Sequence, residues 1–283
     1  MLSSISFIGG GVMAEAMISG LLNRHVITPE RITVSEPREK RRAELAARYA
    51  IHVTGDNRQA ARASDIVVLA IKPQVLARVL DELKGYFRAE QLVISIIAGG
   101  RLATLSEGLA HHSIVRAMPN TPAQIGEGLT VWTATPSVTD AQLEHARAIF
   151  RSLGKEVFMD EEKYLDMATA VSGTGPTYVF LVLEALIDAA VHLGFPRDVA
   201  HDIVIETMRG SIIYAEKSGK HPAELRNMVT SPGGTSAEAI YQMEKGSLRT
   251  VLSKAVWAAY QKSRLLGETV GKAEPRRPIE MNQ

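Results

Sequence analysis

The chain contains no cysteine among its 283 residues. Disulfides, thiolate nucleophiles and cysteine-ligated zinc are thereby excluded. It also lacks an excess of either charge: 32 Lys and Arg against 31 Asp and Glu leave a formal net charge of +1. Such a balance offers no electrostatic footprint for nucleic acid. The one dense basic run, Arg38-Glu39-Lys40-Arg41-Arg42, reads as a solvated helix face. None of the histidines forms a His-x-x-x-His pair, and His111-His112 lies in a loop-like stretch, so no metal site is expected. Met1–Gly20 has no basic n-region and carries adjacent glycines and Glu15, unlike a signal peptide. A long apolar run is missing too, since Tyr178–Ala190 is too short to span a bilayer and includes Glu184 and Asp188. These absences lead to the expectation of a cytoplasmic protein that binds a small molecule rather than a membrane or nucleic acid.

What is present is length and apolar content, enough for two domains of ordinary size. Ser6-Phe7-Ile8 reads as a short strand running into Gly9-Gly10-Gly11-Val12-Met13-Ala14. A helix follows, because Ala14, Met17, Ile18, Leu21 and Leu22 recur at helical spacing. Gly-x-Gly-x-x-Ala between a strand and a helix suits a dinucleotide. Gly9 permits the tight turn, Gly11 lets the backbone approach a pyrophosphate, and Ala14 keeps the helix near the sheet. Further strands are expected at Arg31–Ser35, Asp65–Ile71, Leu92–Ile97 and Ile114–Ala117, with helices at Glu39–Tyr49 and Val75–Leu83. The alternation predicts an α/β fold, a right-handed, doubly wound Rossmann-type parallel sheet. Gly128–Thr133 and Lys155–Phe158, flanking a helix over 141–153, would extend its edge.

Ligands of such sheets bind beyond the strand C-termini. Gly9–Gly11, Ser35–Arg38, Ala70–Pro73, Ile96–Ala98 and Met118–Asn120 all fall there, which singles out Lys72, and Asn120 as a residue to position a nicotinamide. At the end of the second strand, Glu36 suits the ribose hydroxyls of NAD, whereas Ser35, Arg38 and Arg42 suit the 2′-phosphate of NADP. The cofactor is therefore NADPH or NADH, with the preference open.

From Glu161 strand-like runs cease, which places a boundary near Asp160 between a dinucleotide-binding domain (1–160) and a helical domain (161–270). Tyr164–Val171 reads as a helix broken by Ser172-Gly173-Thr174-Gly175-Pro176. The next helix, Pro176–Leu193, is apolar nearly all round and needs cover, for which a subunit interface is expected. Helices are also expected at Pro222–Val229, Ser236–Met243 and Ser247–Glu268, and residues 271–283 are expected to be disordered. Between two of these helices lies Thr230-Ser231-Pro232-Gly233-Gly234-Thr235-Ser236, a turn that leaves backbone N–H groups at a helix start, where an anion is favoured. The plain alternative is a helix-capping loop.

Phe7-Ile8-Gly9-Gly10-Gly11-Val12-Met13-Ala14, Ala70-Ile71-Lys72-Pro73-Gln74, Arg116-Ala117-Met118-Pro119-Asn120-Thr121-Pro122, Val171-Ser172-Gly173-Thr174-Gly175-Pro176 and the Thr230–Ser236 turn occur in one order over residues 5 to about 268. Together they resemble pyrroline-5-carboxylate reductase. The resemblance implies a nicotinamide-dependent reduction of the cyclic imine 1-pyrroline-5-carboxylate to L-proline, the last step of proline synthesis. It implies cofactor contacts from Ile8, Gly9, Gly10, Gly11, Val12, Met13, Asn57, Ala70, Ile71, Lys72, Pro73, Ile96, Ile97 and Ala98, with Ser35, Glu36, Arg38, Pro119 and Asn120 on the same edge. On the substrate side it implies Ser172, Gly173, Thr174, Gly175, Ser231, Gly233 and Gly234. Thr235 and Ser236 are the catalytic candidates, with the turn holding the carboxylate and the Ser236 hydroxyl reaching the imine nitrogen. It further implies a homodimer through the helical domain, assembled in many members into rings of dimers.

The chain departs from that pattern at Ser236, commonly threonine, at Thr174, commonly serine, and at Glu36, commonly a small polar residue. β-Hydroxyacid dehydrogenases share the architecture but rely on a lysine in the helical domain, and none occurs between Lys163 and Lys217. A non-catalytic nucleotide-binding protein would carry a degraded substrate turn, and this turn is intact.

Overall fold

Strand β4 (Ile66–Leu69) is buried at every position, as a central strand covered on both faces must be. Its neighbours follow the same rule: β1 (Ile5–Ile8) and β5 (Leu92–Ser95) are also fully buried. Successive side chains point to opposite faces, so Phe7, Val68 and Ile94 enter one core while Ile8, Val67 and Val93 enter the other. The computed structural model describes residues 2–270; the tail expected to be disordered lies outside them.

With β2 (Ile32–Ser35), β3 (His52–Thr54) and β6 (Ile114–Met118), these strands form a parallel sheet in the order β3-β2-β1-β4-β5-β6. The order reverses at β1, the switch point at which doubly wound sheets bind ligands. The crossover helices are α1 (Val12–Asn23), α2 (Glu39–Tyr49), α3 (Asn57–Ala63), α4 (Leu76–Leu83) and α5 (Leu102–Leu109).

The sheet is not parallel throughout. β7 (Gly128–Ala134) pairs antiparallel with β6. The link between them is one 3-10 turn, Thr121–Ile125, closed by Gly126 at φ 77°, too short for a helical crossover. β8 (Gly154–Phe158) then pairs parallel with β7 after α6 (Asp140–Arg151), whose start is fixed by a Thr139–Gln142 capping box.

The break expected at Ser172–Pro176 is not a break. After α7 (Lys163–Ala168), residues Thr169–Gly173 make a π-helical turn that leads into α8 (Gly175–His192). Thr174 donates both its N–H, at 2.8 Å, and its hydroxyl, at 2.9 Å, to the Thr169 carbonyl. The resulting helical run, Lys163–His192, is long and apolar enough by length and composition to cross a membrane, which the isolated Tyr178–Ala190 stretch is not.

The chain divides into two compact units, the described residues up to Thr174 with those from Ala259 onward, and Gly175–Ala258. The second unit is helical: α8, α9 (Arg197–Ser218), α10 (Pro222–Met228), α11 (Thr235–Lys245) and the first turns of α12 (Leu248–Thr269). No residue of α8 is buried, and Phe180 and Leu181 are more than 60% exposed. The last turns of α12 belong to the first unit, where Ser263 and Gly267 are buried.

Candidate active site

The first unit builds its site from the glycine turn after β1. Gly9 takes φ +102°, and a Cβ there would lie 2.7 Å from the Ala70 carbonyl oxygen, so only glycine lets β1 and β4 end side by side. Gly11 is the N-cap of α1, with no side chain capping the helix. A Cβ on Gly11 would meet nothing within 4 Å. An uncapped helix N-terminus with clear space above it, at the C-terminal edge of the sheet, fits the pyrophosphate of a dinucleotide.

Glu36 sits at the end of β2 and is buried, and both of its oxygens are engaged. Oε2 accepts the Gly10 N–H at 3.1 Å; Oε1 accepts the Arg38 N–H at 3.1 Å and Nε at 2.8 Å. Burial pushes its pKa up, but the hydrogen bonds from Arg38 and Gly10 outweigh this and hold it below the usual value. The residues expected beside it are also committed. The Ser35 hydroxyl donates to Asn57 at 2.7 Å, and Arg42 donates to the carbonyls of Glu36 and Pro37 at 2.8 and 2.9 Å. Asn57 in turn donates to Glu82 at 2.9 Å.

Arg41 corrects the reading of its run as a solvated face. Its side chain is largely buried, its Nε donates to the Gly10 carbonyl at 2.8 Å, and it pairs with Glu15. Glu15 also accepts from Arg48 and Tyr49, and although burial raises its pKa, these partners bring it below the usual value. Glu15, the residue just after the glycine motif, was the signal for this clamp: a partly buried carboxylate in the first turn of α1 meets cations of the next helix.

The remaining edge residues follow the strand ends. Lys72 is exposed and precedes the 3-10 turn Pro73–Val75; Ile97 is buried, with Ile96 and Ala98 partly buried beside it. At the end of β6, Asn120 accepts the Leu129 N–H at 2.9 Å and donates to the Ser172 hydroxyl at 3.2 Å. Gly173 comes so close to this strand end that a Cβ would lie 2.7 Å from the terminal methyl of Met118. Asn120, expected on the cofactor edge, and Ser172 and Gly173, expected on the substrate side, are thus brought together within one unit.

Behind them stands a charge network that the sequence did not reveal. Arg116, only 4% exposed, donates to Glu162 at 2.8 Å and Asp166 at 2.9 Å, and the Ser263 hydroxyl donates to Asp166 at 3.0 Å. The one available signal was an arginine inside an otherwise apolar strand, which has to find a carboxylate.

In the second unit, the turn before α11 closes with the Gly234 N–H on the Ser231 carbonyl at 3.1 Å. Gly233 takes φ +69°, and Gly234 is the N-cap of α11 with no side-chain cap. Thr235 and Ser236 are the first two residues of the helix, one position earlier than the sequence pattern predicts. Their N–H groups fall among those a helix leaves without intrahelical partners, and Ser236 adds a partly buried hydroxyl. Backbone donors, the positive end of the helix dipole and a hydroxyl can together hold a carboxylate and one polar atom beside it.

Residues 162–266 match the family described as pyrroline-5-carboxylate reductase dimerisation, and residues 4–99 match NADP oxidoreductase, coenzyme F420-dependent. A pyrroline-5-carboxylate reductase of Synechocystis is 43% identical over 93% of this chain and 98% of its own length. That of Arabidopsis thaliana is 35% identical, over 94% and 96%. The crystal structure of Plasmodium falciparum pyrroline carboxylate reductase with NADP bound superposes with a TM-score of 0.86 at 34% identity, covering 93% of this chain and 98% of that one. With both parts of the fold matched and relatives aligned from end to end, the chain belongs to the pyrroline-5-carboxylate reductase family.

Proposed function

We propose that this chain reduces 1-pyrroline-5-carboxylate to L-proline with NADPH or NADH. The observation that carries the reading is the intact turn at α11: an uncapped glycine N-cap followed by two hydroxyl residues, in a chain aligned throughout with reductases of this name. Ser231, Gly233, Gly234 and Thr235 hold the substrate carboxylate, and the Ser236 hydroxyl meets the imine nitrogen. Ser172, Gly173, Thr174 and Gly175 shape the remaining contact with the ring. The glycine turn, Asn57, Ala70–Pro73 and Ile96–Ala98 hold the cofactor, and Asn120 fixes the strand end beside it.

When bound, a reduced nicotinamide would supply the hydride that the imine carbon accepts, and a proton taken up from solvent by the nitrogen would complete the secondary amine. The protein's own residues bind the carboxylate, orient the ring and keep a hydroxyl at the nitrogen, so the rate comes from positioning and a polar contact. Such chemistry needs neither a cysteine nor a side-chain nucleophile.

Residues 1–160 then form the dinucleotide-binding domain and 161–270 the substrate and dimerisation domain of a cytoplasmic homo-oligomer, the latter lending residues 161–174 and 259–270 to the compact unit that carries the nucleotide. A partner subunit, rather than lipid, covers the apolar face of α8, and dimers assemble further into a ring. The test is purified protein with the imine and each reduced nucleotide, followed at the nicotinamide absorbance. Absence of imine-dependent oxidation with both nucleotides refutes the reading.

A further inference from the structure

We propose that Glu36 makes the dinucleotide site selective for NADH over NADPH. The proposal rests on reading the glycine edge as a dinucleotide site. The end of β2 is where a doubly wound sheet meets the adenosine ribose. A carboxylate is acceptor-only: it takes a hydrogen bond from the ribose 2′-hydroxyl and opposes a 2′-phosphate.

Two features keep Glu36 from yielding to the phosphate. It cannot swing aside, because its side chain is 5% exposed and its oxygens are held by the Gly10 N–H on one side and Arg38 on the other. Oε1 already accepts twice from Arg38, but Oε2 accepts only the Gly10 N–H and retains capacity for a further hydrogen bond, so the ribose hydroxyl can be added there without breaking these contacts. The cations nearest this strand end are also engaged, two of them with carboxylates. Arg41 is bound to the Gly10 carbonyl and Glu15, Arg42 to the carbonyls of Glu36 and Pro37, and the Arg38 Nε to Glu36 itself. The Ser35 hydroxyl is bonded to Asn57.

The experiment titrates the full-length protein with NADH and NADPH separately, without imine, by calorimetry. Like-charge juxtaposition in a partly desolvated contact predicts wild-type binding of NADH tighter than NADPH by about tenfold or more. Glu36→Gln, which keeps the size and some of the hydrogen bonding, should bring the two affinities to within about threefold, mainly by strengthening NADPH as the Arg38 guanidinium is released. Arg38→Ala added to Glu36→Gln should reverse that gain.

Competition by fragments needs no variant: 5′-AMP should displace NADH and 2′-AMP should fail to. Equal wild-type affinities for the two nucleotides overturn the preference. So does a Glu36→Gln protein that loses both nucleotides equally, which would make Glu36 only a staple of the turn. Failure of the wild type to bind either nucleotide overturns the dinucleotide site itself and the preference with it.

Discussion

At the scale of single residues, Ser236 keeps the hydroxyl of the turn but gives up the β-methyl that restrains χ1 in threonine. Ser236→Ala should lower kcat by roughly 10²-fold, the scale of losing one oriented hydrogen bond at a reacting centre. Nucleotide affinity should stay unchanged and Ser236→Thr should keep the activity, both checked by steady-state kinetics beside nucleotide titration. Gly9 allows a sharper expectation. At φ +102° and with a Cβ only 2.7 Å from a carbonyl, Gly9→Ala should cost about 1–3 kcal/mol in strain, read as a lowered Tm, and weaken nucleotide binding. Both residues were legible in the sequence because their signals are local, a glycine pattern and a turn before a helix. The destination of the Glu36 carboxylate was not. Its partner Gly10 lies in the turn after another strand, and only the pairing of β1 with β2 brings the two together.

At the scale of elements, Arg116 stitches β6 to α7, and through Asp166 and Ser263 to the end of α12. Arg116→Met leaves a buried carboxylate without its cation. The expected loss is about 3–5 kcal/mol in urea unfolding, with a smaller loss when Asp166→Asn removes the charge as well. His111, which follows α5, gives the fold a pH dependence. Burial pulls its pKa below the ordinary 6.5 despite the hydrogen bond to the Gln91 carbonyl, and its ring lies against Phe87. The unfolded chain therefore binds a proton first as pH falls. Stability attached to His111 is complete above about pH 6.5 and is lost as pH drops from there through the folded-state pKa. Melting curves between pH 8 and 5 should show this slope, and His111→Phe should flatten it. Most strands of the first half and helices α1, α2 and α4 were readable from periodicity, often to within a residue or two, whereas the short helices α3 and α5 were not. The π-turn at Thr169–Gly173 and the reversal of β7 were not. Glycine and proline announce a change of direction in sequence, but whether a helix absorbs them depends on hydrogen bonds such as those of Thr174 to Thr169.

For the whole molecule, the apolar circumference of α8 was plain in the sequence, and the cover it requires is not supplied by the described residues. Phe180 and Leu181 remain largely exposed, as an interface helix does before its partner is in place. Leu181→Glu should shift the sedimentation profile toward monomer and lower activity, while nucleotide binding by the first unit persists. Retention of the full oligomer would place the interface elsewhere on the helical unit. The order of units along the chain carries another consequence, for synthesis rather than for chemistry. The nucleotide unit is discontinuous: it opens near the N-terminus but includes α12 from Ala259, with Ser263 against Asp166 and Val270 in its second core. A ribosome must therefore translate the entire helical unit before the nucleotide unit has all its parts. A chain stopped short of Ala259 leaves unfinished the unit that began first.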